Sequence, residues 1–89
     1  MEILQTPTFV RQIKKLHKNQ KKDLDNAIKK IVEDPSIGNL KKGDLAGIQV
    51  YKFNMVNQLT LLAYEVNEDQ IHLVLLALGT HENFYRDLK

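Results

Sequence analysis

The sequence predicts an α+β fold in which helices cover one small antiparallel sheet. Three observations carry this reading. Apolar residues recur at helical spacing before Pro35, and short runs rich in Val, Ile, Leu, Tyr and Phe fill the stretch after Gly47. Between them lies a segment with Gly38, Gly43 and Gly47 and no sustained apolar period. The expected order is an N-terminal strand, an antiparallel helical hairpin, a three-stranded antiparallel meander and a short C-terminal helix.

Ile3 and Leu4 open a short apolar stretch that reads as a strand, and Pro7 interrupts it. Thr6 before Pro7 is a helix start, because a hydroxyl can cap the first free N–H groups and proline fits the first helical position. Phe9, Val10, Ile13 and Leu16 then fall on one helical face, with Arg11, Lys14, Lys15 and Lys18 largely elsewhere. After the polar break His17-Lys18-Asn19-Gln20, a second stripe runs through Leu24, Ala27, Ile28 and Ile31 until Pro35 ends it. Two helices with so short a connection predict a hairpin, and Ser36 to Gly47 reads as a loop.

Ile48 to Met55, Leu59 to Val66 and Ile71 to Leu78 are the three strands, separated by Val56-Asn57-Gln58 and Asn67-Glu68-Asp69-Gln70. The third is apolar almost throughout after His72, as suits an interior strand covered on both faces. Gly79 is expected to end it. Thr80 can cap a last helix, His81 to Leu88, with Phe84 and Leu88 spaced to pack onto the sheet.

The 89 residues suffice for one core, so a single domain spanning 1–89 is expected. With no cysteine, disulfides and thiolate metal sites are excluded, and three scattered histidines lack the spacing of a zinc site. No metal or other cofactor is expected. No apolar run reaches signal-peptide length or the roughly 20 residues of a membrane span, so the expected compartment is the cytoplasm without membrane attachment.

Charge is uneven. Residues 11–30 hold eight lysines and arginines against Asp23 and Asp25, whereas residues 45–89 hold three cations against five carboxylates. A basic region of this kind favours a polyanion or an acidic protein partner. Lysines that merely solvate a helix would produce the same count.

The run Gly43-Asp44-Leu45-Ala46-Gly47-Ile48-Gln49-Val50-Tyr51-Lys52-Phe53 resembles the approach to the second strand in RelE/ParE toxins. Leu62-Ala63-Tyr64-Glu65-Val66 looks like their third strand. The closing run from Leu75 through Leu78-Gly79-Thr80-His81-Glu82-Asn83-Phe84-Tyr85-Arg86 to Lys89 is similar to the last strand and tail of a RelE-like branch. The resemblance implies a toxin neutralised by a cognate antitoxin. RelE-like members cleave mRNA in the ribosomal A site by attack of the ribose 2′-oxygen on the adjacent phosphate, and ParE-like members poison DNA gyrase. Fold alone does not choose between these.

RNA cleavage requires proton transfer at the 2′-hydroxyl and at the leaving oxygen, and cationic donors for the phosphate. His81 is the candidate acid/base group, since imidazole titrates near neutrality and the expected helix start would favour its neutral form. Tyr85, four residues on, would share a helical face with it. Tyr85 is a substrate-contacting residue on the resemblance and equally a core residue by its composition. Arg86 is a candidate phosphate clamp. Lys52, between Tyr51 and Phe53 in a strand, points to the face opposite both, and a mid-sheet lysine implies an anionic ligand or an open face.

Lys14, Lys15, Lys18, Lys21 and Lys22 on the helices, with Lys41 and Lys42 in the loop, are the candidate RNA-binding residues. RNA-cleaving relatives carry an arginine on the third strand, whereas Gln58 to Glu65 here has no cation. Three functions follow: a ribosome-dependent endoribonuclease, a gyrase poison, and a degenerate toxin that only binds antitoxin.

Overall fold

Thr6 and Pro7 start the first helix as their chemistry dictates: Thr6 Oγ1 accepts the Phe9 N–H at 3.1 Å and Pro7 occupies the first turn. The computed structural model describes residues 2–43, 46–67 and 72–80. Strand β1 (Glu2–Gln5) leads into helix α1 (Pro7–Ile13), followed by α2 (Lys18–Glu33) and a single 3₁₀ turn (Pro35–Ile37). Strands β2 (Asn39–Leu40), β3 (Gln49–Met55), β4 (Gln58–Asn67) and β5 (His72–Thr80) complete a five-stranded sheet of order β1-β5-β4-β3-β2.

The meander β3-β4-β5 is antiparallel as expected. Two features enlarge it. β1 pairs parallel to β5, Ile3 opposite Leu73 and Gln5 opposite Leu75. The glycine-bearing segment supplies β2, whose two residues pair with Val50 and Gln49 of β3. Ser36 to Gly47 is therefore not all loop; two residues can bond an edge without any apolar period of their own.

Both helices lie on one face. Phe9 of α1 and Leu24 and Ile31 of α2 are buried with Met55, Leu62, Tyr64, Leu73, Leu75 and Leu78, and Ile13, Leu16, Ile28, Tyr51 and Phe53 pack around them. Tyr51 and Phe53, two residues apart on one strand face, stack with ring centroids 6.0 Å apart. The helices do not close on each other as a tight hairpin. α1 rests on β5 and α2 on β3, leaving a groove of about 320 Å³ lined by Val10, Ile13, Lys14, Lys21, Leu24 and Asp25. Their stripes face the sheet, which offers more apolar surface than the partner helix.

The far face of the sheet buries a second, smaller cluster: Val50, Leu61, Ala63 and Ala77, with Ile48 and Leu76 against it. β5 is interior and buried on both sides, as its continuous apolar run requires. The run also hides a bulge. Ala63 faces Ala77 but Tyr64 faces Leu75, so Leu76 has no partner on β4 and side-chain alternation shifts there. The first helix is anchored at this point: Thr6 N–H donates to the Leu75 carbonyl at 3.1 Å, and Thr6 Oγ1 donates to the Leu76 carbonyl at 2.7 Å.

Gly79 does not end β5. It pairs with Leu61, and the strand continues to Thr80. A glycine weakens a strand without forbidding ladder bonds, and the long β4 supplies partners for it. The helix expected over 81–88 lies outside the described residues. Among the described residues no helix is long and apolar enough to cross a membrane.

Candidate functional site

On the face turned away from α1 and α2, Lys52 pairs across β3 and β4 with Leu61, and Leu61 pairs with Gly79 on β5. The three form one row, and Gly79 contributes no side chain to it. With strands about 4.8 Å apart, the backbone of Lys52 lies roughly 10 Å from that of Gly79. Lys52 is exposed, although Val50 and Leu61 on the same face are buried. Its side chain therefore carries a cation over an apolar floor, in the row two residues before the chain reaches His81. Among the described residues, Lys52 stands exposed on the face turned away from α1 and α2.

The other expected cations are elsewhere. Lys18, Lys21 and Lys22 are exposed on α2 and Lys14 and Lys15 in the turn after α1, on the side of the sheet opposite Lys52. Lys42 is exposed beyond β2, and Lys41 is half-buried there, its N–H donating to the Ile48 carbonyl at 2.8 Å. The set divides between the helix layer, one sheet edge and the face that carries Lys52. His81, Tyr85 and Arg86 lie outside the described residues.

Tyr64 is fully buried, and its hydroxyl donates to the Pro35 carbonyl at 2.7 Å while accepting the Gly38 N–H at 3.0 Å. Gln49 Oε1 is placed 3.1 Å from the same oxygen; with the one phenolic proton given to Pro35, the Gln49 carboxamide satisfies this contact by presenting its NH₂. Burial raises the Tyr64 pKa, with Asp34 and Tyr51 adding to the rise and the Gly38 hydrogen bond opposing it. The phenol stays protonated at neutral pH. It clamps the 3₁₀ turn to the sheet.

Two depressions flank α1. A polar groove of about 280 Å³ is lined by Thr8, Arg11, Gln12 and Lys15. A second cavity of about 220 Å³ opens where α1 and α2 meet the end of the sheet, with Leu16, Met55 and Leu78 as apolar walls and Gln12, Gln20 and Gln58 as amides. Gln12 belongs to both. Its place in the sequence carries a signal: Phe9, Gln12, Ile13 and Leu16 follow the spacing of a buried helical stripe, and glutamine interrupts it.

The solved structures most informative for this arrangement are RelE-like. The chain aligns with the E. coli RelBE toxin–antitoxin complex at a TM-score of 0.73 and 15% identity, covering 89% of this chain and 94% of that one. The RelBE2 complex of Mycobacterium tuberculosis gives 0.70 and 18%, over 90% and 96% of the two chains. The YoeB/ParE toxin from Agrobacterium tumefaciens gives 0.71 and 16%, over 91% and 99%. These similarities define a RelE-like fold. No curated protein sequence matches the chain. The family model for the ParE-like toxin of type II bacterial toxin-antitoxin systems matches residues 3–89, and the chain belongs to that family.

Proposed function

We propose that this toxin is a ribosome-dependent mRNA endoribonuclease, held inactive in the cytoplasm by a cognate antitoxin. The observation that carries the reading is the row Lys52, Leu61, Gly79, which sets a cation on the sheet face turned away from the helices, beside the start of the tail that contains His81. In the proposed reaction the 2′-oxygen bonds to the adjacent phosphorus and the bond to the 5′-oxygen breaks. His81 takes the 2′-hydroxyl proton, and the leaving 5′-oxygen receives one from Tyr85 or water. Lys52 and Arg86 stabilise the added phosphate charge.

Both sheet edges support an antitoxin partner. Ile3 and Leu4 on β1 and Leu40 on β2 are exposed, Leu40 by 65%, and exposed edges with apolar side chains are surfaces that an added strand or amphipathic helix covers. One observation favours gyrase poisoning instead: β4, the middle strand, carries no lysine or arginine. The deciding measurement is single-turnover cleavage of ribosome-bound mRNA by the parent and by His81→Gln. The variant should cut about 10²–10⁴-fold more slowly with ribosome binding retained. Equal rates would remove His81 from the chemistry and favour the gyrase reading.

A further inference from the structure

The two depressions that share Gln12 differ in chemistry. The groove beside α1 offers a guanidinium from Arg11 and an ammonium from Lys15, both exposed, with Thr8 also in its lining. Arg11 lies in the last turn of α1 and Lys15 in the turn just beyond it, and both line the groove. An anion with several acceptor oxygens suits this pair, because the guanidinium binds two of them as a fork and the ammonium adds a point charge.

The end-of-sheet cavity has apolar walls and an amide rim. At about 220 Å³ it holds the volume of about seven waters, enough for one flat heterocycle. Two of its amides are fixed in orientation. Gln12 Oε1 accepts the Leu78 N–H at 2.6 Å, and Gln20 Oε1 accepts the His17 N–H at 2.8 Å. Only the oxygen of a carboxamide can accept an N–H, so both side chains are oriented with the NH₂ as the end available to a ligand. Gln12 and Gln20 both line this cavity with apolar walls, and their oxygens are committed to backbone N–H groups.

We propose that these depressions form one nucleotide subsite for single-stranded RNA, with a guanine or cytosine base in the cavity and its phosphate on Arg11 and Lys15. A base that bridges both amides must offer two acceptors on one edge. Guanine offers O6 and N7, and cytosine offers N3 and O2. The Watson–Crick and Hoogsteen edges of adenine, and the Watson–Crick edge of uracil, instead place a donor beside an acceptor. An unpaired base exposes these edges, and apolar side chains cover its faces. Thr80, on the cavity rim, directly precedes His81, so a nucleotide held here lies next to the tail. The subsite rests on the RNA-cleavage reading and adds base selection to it.

The test uses the purified full-length toxin with fluorescent oligocytidylate and oligouridylate, which differ at the edge that meets the amides and form little structure of their own. The parent should bind oligocytidylate about tenfold more tightly. Gln20→Glu preserves the oxygen that accepts the His17 N–H, so the helix start survives, but it replaces the NH₂ with an acceptor. It should abolish or invert the preference. Arg11→Gln should weaken both oligomers equally and reduce the salt slope by about one. Equal binding of the two oligomers by the parent, or a preference unchanged in Gln20→Glu, overturns the subsite. The cleavage assay fails or succeeds separately: a parent that selects cytidine through Gln20 yet cuts no ribosome-bound message retains the subsite and loses the endoribonuclease reading.

Discussion

Gln12 on α1 gives its side-chain oxygen to the backbone N–H of Leu78 at 2.6 Å. β1 pairs with β5 only as far as Leu75, and Leu78 lies beyond that ladder with its N–H directed away from β4. A helix side chain thus replaces the missing strand. Gln12→Leu matches the apolar stripe around it but leaves a partly buried N–H without its acceptor. It should destabilise the fold by about 1–3 kcal/mol in urea unfolding. A variant at least as stable as the parent would show that solvent satisfies Leu78 equally well.

Tyr64 and Gly38 are the matching device toward the β2 edge of the sheet. A Cβ on Gly38 would lie 2.6 Å from the Tyr64 hydroxyl oxygen. Gly38→Ala and Tyr64→Phe should each lower stability, the latter by about 1–3 kcal/mol through the lost partners of the Pro35 carbonyl and Gly38 N–H. The double variant should lose less than the sum, because removing the oxygen relieves the clash. Strict additivity in denaturant melts would place the Gly38 effect elsewhere.

The same phenol makes stability pH-dependent. Its folded pKa lies above the ordinary value of 10.0, so the unfolded chain releases this proton first as pH rises. The contribution is complete below about pH 10 and declines from there toward the folded pKa. Unfolding midpoints measured at increasing alkaline pH should fall more steeply for the parent than for Tyr64→Phe. Parallel curves would contradict the assignment.

The β3–β4 turn holds Val56 at φ 50° and Asn57 at φ 66°. Asparagine tolerates the left-handed region, whereas a β-branched side chain is strained there. Asp23 on α2 nonetheless accepts the Val56 N–H at 2.9 Å and ties the turn to the helix layer. Val56→Asn keeps that bond, and the exposed valine leaves no cavity. Thermal unfolding should show a gain of about 1 kcal/mol.

Lys52 and the helix lysines occupy opposite faces, so their roles separate experimentally. Lys52→Gln should lower single-turnover cleavage about 10²-fold with little loss of ribosome affinity. Reversing the charges of Lys14, Lys15, Lys18 and Lys21 should weaken ribosome binding and flatten its salt dependence. A Lys52→Gln variant that cuts at the parent rate would exclude its face as the place of chemistry.

The sequence by itself determined the elements whose causes are local. Thr6 and Pro7 start a helix because one supplies an oxygen three residues ahead and the other needs no N–H bond. Phe9, Leu24 and Ile31 are core because helical spacing gathers apolar residues on one face, and Lys52 faces away from Tyr51 and Phe53 because a strand alternates. The family resemblance was legible for a related reason, since the order of such elements survives large changes in sequence. Partner choice between distant segments was decided only by the tertiary structure. The Gln12 bond joins residues 66 apart and the Tyr64 bond residues 26 apart. Both arise because packing the helices on the sheet leaves particular N–H groups facing a side chain instead of water. The parallel seating of β1, the unpaired Leu76 and the continuation of β5 through Gly79 have the same origin. Each depends on where a neighbouring strand stops, and no local period of the sequence records that.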